Sequence, residues 1–164
     1  MNQPRRIRAA ALAVAAGIAA LVPASAPAQA AAPEGCQGIP SDTYVNLAIE
    51  GLRSSSGLIA VTLYPDNPRR FLVKKGSIKV SRVPAHAPIT RLCLFVPQPG
   101  TYAIAVYHDE DGSRKLNRNG IGLPREGYGF SNNPATLAGL PAFKSVRITF
   151  PKSGVSTRIR MKYP

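Results

Sequence analysis

The sequence is poor in the residues that build cysteine–histidine metal centres. Among its 164 residues there are two cysteines, Cys36 and Cys93, and two histidines, His86 and His108. Neither cysteine has a second cysteine or a histidine nearby at the spacing of zinc ligands. This absence argues against a metal bound by the cysteine pair.

Long hydrophobic runs are also absent, except for one near the amino terminus, Ala9–Val22. Three arginines precede this run, and Ala28-Gln29-Ala30 follows it with the small residues that a signal peptidase reads. The run is shorter than the roughly 20 apolar residues that span a bilayer, and it is mostly alanine, which disfavours the alternative of an uncleaved anchor. We therefore predict a signal peptide over residues 1–30, no transmembrane segment after its removal, and a periplasmic or secreted protein.

Acidic residues are scarce as well. There are 8 aspartates and glutamates against 21 lysines and arginines, a formal net charge of +13 that falls to +10 without Arg5, Arg6 and Arg8 of the predicted signal. Such an excess attracts anionic polymers and lipid headgroups. The candidate partners are an anionic envelope component, an extracellular glycan or another exported protein. Because the protein is predicted to be exported and its basic residues are spread along the chain, we expect no nucleic-acid partner.

Both cysteines fall after the predicted cleavage site. In an oxidising compartment an isolated pair most often forms a disulfide, so we predict a bond between Cys36 and Cys93, with free thiols as the alternative. Closing that loop would stabilise the fold by about 4 kcal/mol if the effect on the unfolded chain is entropic. Residues 31–42, rich in alanine, proline and glycine, are predicted to be an extended linker that this bond anchors.

From residue 43 onward apolar residues recur with a period of two, as in β-strands. We predict strands over residues 43–50, 58–64, 71–73, 77–83, 89–96, 102–107, 145–150 and 155–163, the last two joined as a hairpin by residues 151–154. In the last strand the odd-numbered residues from Val155 to Tyr163 should face inward, and Arg158 and Arg160 outward. Beyond the signal, a turn at residues 135–139 is the only helix-like segment. About seven strands predict one all-β domain over residues 43–164, an antiparallel β-sandwich of immunoglobulin-like or transthyretin-like type.

The most unusual segment of the predicted domain runs from His108 to Asn133. Loops longer than about 12–15 residues in compact domains are usually functional or disordered, and this one is rich in turn formers and aromatic residues. With the preceding strand it reads GTYAIAVYHDEDGSRKLNRNGIGLPREGYGFSNN, which resembles the signature of the DUF2141 family of small exported bacterial domains. The resemblance covers residues 43–163 and implies a secreted, sandwich-like domain. It implies no activity.

The first half of this loop resembles a calcium-binding loop in part. Oxygen-bearing side chains stand at positions 1, 3, 5 and 9 of such a loop, namely Asp109, Asp111, Ser113 and Asn117. Family members often carry a fuller pattern, whereas here Arg114 occupies the sharp-turn position that prefers glycine, and Gly120 replaces the bidentate glutamate. These departures predict no cofactor and leave calcium on Asp109, Asp111 and Asn117 as the minor alternative to a polar turn.

The second half of the loop has the composition of a small ligand site. Glycines around Tyr128 and Phe130 permit close backbone approach, and polar side chains flank the aromatic rings. The alternative is that the aromatic rings pack onto the end of the sandwich. The candidate ligand-binding residues of the whole loop are His108, Asp109, Asp111, Glu126, Tyr128, Phe130 and Asn132.

Two other functions are consistent with the residue types present. A small hydrolase would use His108 with Asp109 or Glu126, but Ser131 lies in no nucleophile-elbow sequence. A charge-driven interaction module would use the basic final strand, with Arg158 and Arg160. We predict a binding protein without catalytic residues rather than an enzyme.

Overall fold

The computed structural model describes residues 34–122, 124–136, 140–152 and 154–164. The predicted signal peptide lies outside these ranges, as do residues 31–33 of the predicted linker and 137–139 of the predicted turn. Within the described ranges, no helix has the length and apolar character needed to cross a membrane.

The fold is all-β, as predicted, and the described residues form two sheets and one four-residue helix. The elements are β1 (Tyr44–Glu50), β2 (Leu58–Pro65), β3 (Lys79–Pro84), β4 (Ile89–Phe95), β5 (Gly100–Asp109), β6 (Tyr128–Phe130), α1 (Phe143–Val146), β7 (Arg147–Phe150) and β8 (Val155–Arg160). The first sheet has the order β4-β1-β8, and the second has the order β3-β2-β5-β6. Strand β7 pairs with the start of β5 and β6 with its second half. Strand β5 is therefore central in the second sheet.

The main core lies between the sheets and follows the predicted alternation. Val45, Leu47 and Ile49 of β1 are buried there, and Ile59, Val61 and Leu63 of β2 belong to the same cluster. A second apolar cluster includes Tyr64, Phe71, Ala103, Phe130 and Val146. Tyr64 and Ala103 alternate with core residues of β2 and β5, so this cluster covers the outer face of the second sheet.

Two strands predicted between β2 and β4 are wrong in whole or in part. Residues 71–73 form turns, and the strand predicted over residues 77–83 begins at Lys79. Phe71 is buried because its ring packs edge-on against Tyr64 from a turn, and three residues are too few for a period to distinguish that from a strand.

The predicted hairpin is also wrong. Strand β7 pairs with β5 in the second sheet, whereas β8 pairs with β1 in the first sheet, and that pair is parallel. The sandwich is therefore not purely antiparallel. The inward alternation predicted for residues 155–163 holds, with Ile159 of β8 and Met161 just after it buried. Alternation, however, reports the buried face of a strand and not its neighbour.

The segment after the predicted cleavage site is tied to the first sheet. Cys36 and Cys93 form the predicted disulfide, which links it to β4. Gln37 continues the contact: its N–H donates to the Cys93 carbonyl at 2.8 Å, and its own carbonyl accepts from Phe95 N–H at 3.0 Å. The described part of the predicted linker is thus held along the edge of β4.

Candidate functional site

Strand β5 ends in two residues that point to opposite sides of the sheet. His108 is fully buried, and both of its ring nitrogens are engaged. Nδ1 lies 2.7 Å from the Tyr163 hydroxyl, and Nε2 lies 2.8 Å from the Ser56 carbonyl oxygen. Asp109 is also buried, but it contacts the loop instead. The structure therefore separates His108 from Asp109.

The carboxylate closest to His108 is that of Glu110. Its Oε1 lies 3.9 Å from His108 Nδ1, and the same carboxylate binds Arg53 and the Ser54 hydroxyl. The hydrogen bonds and charge of Arg53 hold the pKa of Glu110 below its usual range. His108, enclosed between Tyr163 and the Ser56 carbonyl, joins the end of the chain to the sheet.

Three other carboxylates meet on the loop side of β5. Asp109, Asp111 and Glu126 each have a carboxylate oxygen within 4.8 Å of the others, and we call them the acidic cluster. The pairing of β5 with β6 explains how Glu126 arrives there. Tyr107 pairs with Tyr128, and His108 N–H donates to the Gly127 carbonyl at 2.8 Å, so the next residue back, Glu126, lies beside Asp109.

The loop backbone wraps around this cluster. Asp109 Oδ2 accepts from Arg114 N–H at 2.9 Å, and Glu126 Oε2 accepts from Asn117 N–H at 2.9 Å. The Asn117 side chain donates to Asp111 Oδ2 at 2.7 Å. Arg114 adopts a φ of 60°, so it takes the left-handed conformation expected of a glycine at that position.

The cluster is electrostatically uneven. Burial, opposed by the Asn117 N–H and reinforced by the negative charges of Asp111 and Asp109, raises the pKa of Glu126. Hydrogen bonds from Ser113, first of all its backbone N–H, lower the pKa of Asp111. Asp111 is exposed, whereas Glu126 has only 5% of its surface accessible. Ionisation is therefore less favourable at Glu126 than at Asp111.

A cleft adjoins the cluster on the outer face of the second sheet. It has a volume of about 200 Å³ and is bordered by three tyrosines, Tyr64, Tyr107 and Tyr128. The loop forms the opposite wall with Leu116, Arg118 and Pro124. This part of the loop is a narrow arm, which we call the loop arm. It is held together by a bridge between Arg118 and Pro124 and by the 2.8 Å hydrogen bond from Arg125 N–H to the Asn117 carbonyl.

The remaining predicted residues have structural contacts. Phe130 is buried against Phe71, and the Ser131 hydroxyl is buried, donating to the Val146 carbonyl and accepting from Ile104 N–H at 3.0 Å. Asn132 Nδ2 donates to the Arg147 carbonyl at 2.6 Å. Of the predicted residues, the structure brings together Asp109, Asp111, Glu126 and Asn117, with Tyr128 and Phe130 lining the adjoining cleft.

Sequence reasoning missed most of the cleft wall, including the residues that its proposed chemistry depends on. Tyr64 and Tyr107 occupy outward positions of β2 and β5, and Leu116 and Arg118 lie in the loop arm. The signal for the tyrosines was the period of two. It places a tyrosine at outward positions of two neighbouring strands, which is typical of a sheet face that packs against another segment or binds a ligand.

Comparison with known proteins identifies a family for this chain. The family model described as "Uncharacterized protein conserved in bacteria (DUF2141)" matches residues 47–158. This span contains both the acidic cluster and the cleft. No curated protein and no solved structure matches the chain.

Proposed function

The chain belongs to the DUF2141 family, and we propose that it is an exported, non-catalytic β-sandwich domain that binds an extracellular glycan in the cleft under the loop arm. Export is supported by the signal-like residues 1–30 and by the disulfide, because such bonds persist in oxidising compartments. The cleft carries the binding part of the proposal.

The lining of the cleft suits a sugar ring. Tyrosine offers a flat apolar face together with a hydroxyl group, and a sugar ring presents apolar C–H faces bordered by hydroxyls. The volume of about 200 Å³ is small beside the roughly 300–1,000 Å³ of typical ligand pockets, so one ring would enter while the rest of the glycan stayed outside. Arg118 at the wall adds a donor for a carboxylate, which favours an acidic sugar.

The absence of catalysis is supported by the contacts of the residues that a hydrolase would need. His108 is enclosed, with partners on both ring nitrogens, and faces away from the acidic cluster. Ser131 is buried and its hydroxyl bonds to backbone groups of Ile104 and Val146, whereas the ring of His108 contacts Tyr163 and the Ser56 carbonyl.

The proposal is tested by filling the cleft. Ala105 is half-buried on the outer face of the central strand β5 and lines the cleft; Ala48 is half-buried on the outer face of the central strand β1. Neutral and uronic-acid oligosaccharides on an array serve as probes, followed by calorimetry of those retained. We expect Ala105→Phe to abolish binding and Ala48→Phe to leave it unchanged.

Other outcomes discriminate the alternatives. Because Ala48 pairs with Arg158, loss of binding in Ala48→Phe alone would assign the ligand to the basic final strand. Release of new reducing ends from a bound oligosaccharide would contradict the non-catalytic part of the proposal. Retention of no oligosaccharide by the unaltered protein would overturn the glycan assignment.

A further inference from the structure

Among the described residues, the acidic cluster has no positively charged partner, although its carboxylates accept hydrogen bonds. Asp109 is fully buried and Glu126 is 95% buried, since 5% of its surface is accessible. Buried charges are usually paired with opposite charges or bound to metal ions. In the described part of the chain, however, no side-chain nitrogen of lysine, arginine or histidine lies within 4.0 Å of the carboxylate oxygens of the cluster.

This lack of partners does not follow from a shortage of cations. The chain has 21 lysines and arginines for 8 acidic residues. Arg118 and Arg125 border the same depression as Asp111 and Glu126, yet neither forms an ion pair with them among the described residues. Arg114 and Lys115, which interrupt the calcium-loop pattern, are exposed and likewise form no ion pair with the cluster in the described chain.

A second observation points to a ligand. Glu126 Oε1 is buried and has no hydrogen-bond partner among the described residues, while Oε2 of the same carboxylate accepts from Asn117 N–H. An unpartnered buried oxygen is costly, so few occur in native proteins. In a cluster of three carboxylates, a bound cation would satisfy this oxygen and offset the mutual repulsion.

We propose that Asp109, Asp111 and Glu126 bind a calcium ion, with Glu126 supplying the carboxylate that the loop pattern lacks at Gly120. Calcium prefers oxygen ligands and accepts irregular geometry, whereas magnesium requires a near-octahedral set. Asn117 is the neighbouring amide. Its donor bond to Asp111 would be replaced on binding, because a half-turn of the amide presents its oxygen instead. The site differs from a standard calcium loop in drawing one ligand from the far end of the loop arm.

The test is a calorimetric titration of the chelator-treated protein with CaCl₂, repeated with MgCl₂, alongside thermal unfolding. We expect saturable one-to-one calcium binding with a dissociation constant of about 0.1–1 mM, as in extracellular modules. At ten times that constant, the midpoint of thermal unfolding should rise by about 5 °C. These measurements use the metal alone, so their outcome is independent of glycan binding.

Two variants and one control complete the test. Asp111→Asn and Glu126→Gln should each weaken calcium binding at least about tenfold, since each removes a charged ligand. Asp111 is exposed and its replacement is expected to fold, so it tests the site even if the buried variant does not. Asp42→Asn changes an exposed carboxylate outside the cluster and should bind calcium like the unaltered protein.

Three results would overturn the proposal. They are the absence of both heat and thermal shift at about 10 mM calcium, equal affinity for magnesium, and equal calcium affinity in Asp111→Asn and Asp42→Asn.

Discussion

Asp109, Glu110 and Asp111 are consecutive in the chain but belong to two different electrostatic environments. Glu110 points toward Arg53, which donates from Nε to Oε1 at 3.0 Å and contacts Oε2 through Nη2. Asp109 and Asp111 point the other way, into the acidic cluster with Glu126. Glu110 is thus paired with an arginine, whereas Asp109 and Asp111, on either side of it in the chain, lie beside a third carboxylate, that of Glu126.

This contrast separates carboxylates that are paired with an arginine, and so stabilise the fold, from clustered carboxylates whose mutual repulsion destabilises it. Asp66, like Glu110, binds an arginine through two hydrogen bonds: Arg147 Nε at 2.7 Å and Nη2 at 2.6 Å. The cluster has hydrogen bonds from backbone N–H groups but no basic partner among the described residues. A protein commonly retains a destabilising cluster of this kind where the site serves a function rather than stability.

The largest effect is expected at Gly57, which lies against the junction of the two environments. Its φ is 70°, and a methyl group there would lie 2.0 Å from the Asp109 carbonyl oxygen and 2.8 Å from the Glu110 carbonyl carbon. Gly57→Ala should therefore lower the free energy of unfolding by about 3 kcal/mol or more, measured by urea denaturation. Residue 57 directly precedes β2 and contacts the backbone of both Asp109 and Glu110. A shift there should therefore displace the paired carboxylate and the acidic cluster together.

Gly112 provides the matched control for this change. Its φ is also 70°, but a methyl group there would have no atom within 4 Å. Gly112→Ala should cost only the conformational penalty, about 1 kcal/mol. Equal losses at the two glycines would show that the close approach to Asp109 is not what restricts residue 57.

An intermediate effect, opposite in sign for the two environments, is expected on neutralising one acid in each. With a chelator present at neutral pH, Glu126→Gln should raise the free energy of unfolding by about 1 kcal/mol, because it removes an unpaired buried charge. The glutamine oxygen can still accept from Asn117 N–H. Glu110→Gln should slightly lower the stability, because its bond to the half-exposed Arg53 is weakened. Chemical denaturation measures both, and a loss of stability in Glu126→Gln would contradict the contrast.

The fold was predictable from sequence to the extent that it depends on which face of a strand is buried. The period of two predicted a strand over residues 43–50 with one apolar face, and Val45, Leu47 and Ile49 of that face lie in the core. Strand partners were not predictable in the same way. The residues after β7 could turn back into a hairpin or cross to the other sheet, and the alternation in β8 is satisfied by either neighbour.

The candidate site was predictable only where its residues are close in sequence. The alternate spacing of Asp109 and Asp111 indicated one half of the acidic cluster. Glu126 was recognised as a candidate ligand-binding residue, but not as their neighbour, because its position depends on the pairing of β6 with β5. The tyrosines of the cleft come from β2, β5 and β6, so only the assembled sheet brings them together.

The smallest effect is expected at Asp66, the exposed member of the paired class. Hydrogen bonds from Arg147 lower the pKa of its carboxyl below the ordinary value of 3.8. The folded state then binds the proton less tightly than the unfolded state, so this contribution is present above the ordinary pKa and is lost as the pH falls through the lowered one. Wild-type protein should accordingly exceed Asp66→Asn in stability at about pH 6 by a small margin that shrinks toward about pH 2. Urea denaturation across that range measures the margin. A margin independent of pH would mean that Asp66 contributes through its hydrogen-bond geometry rather than its charge, which would remove it from the class that Glu110 represents.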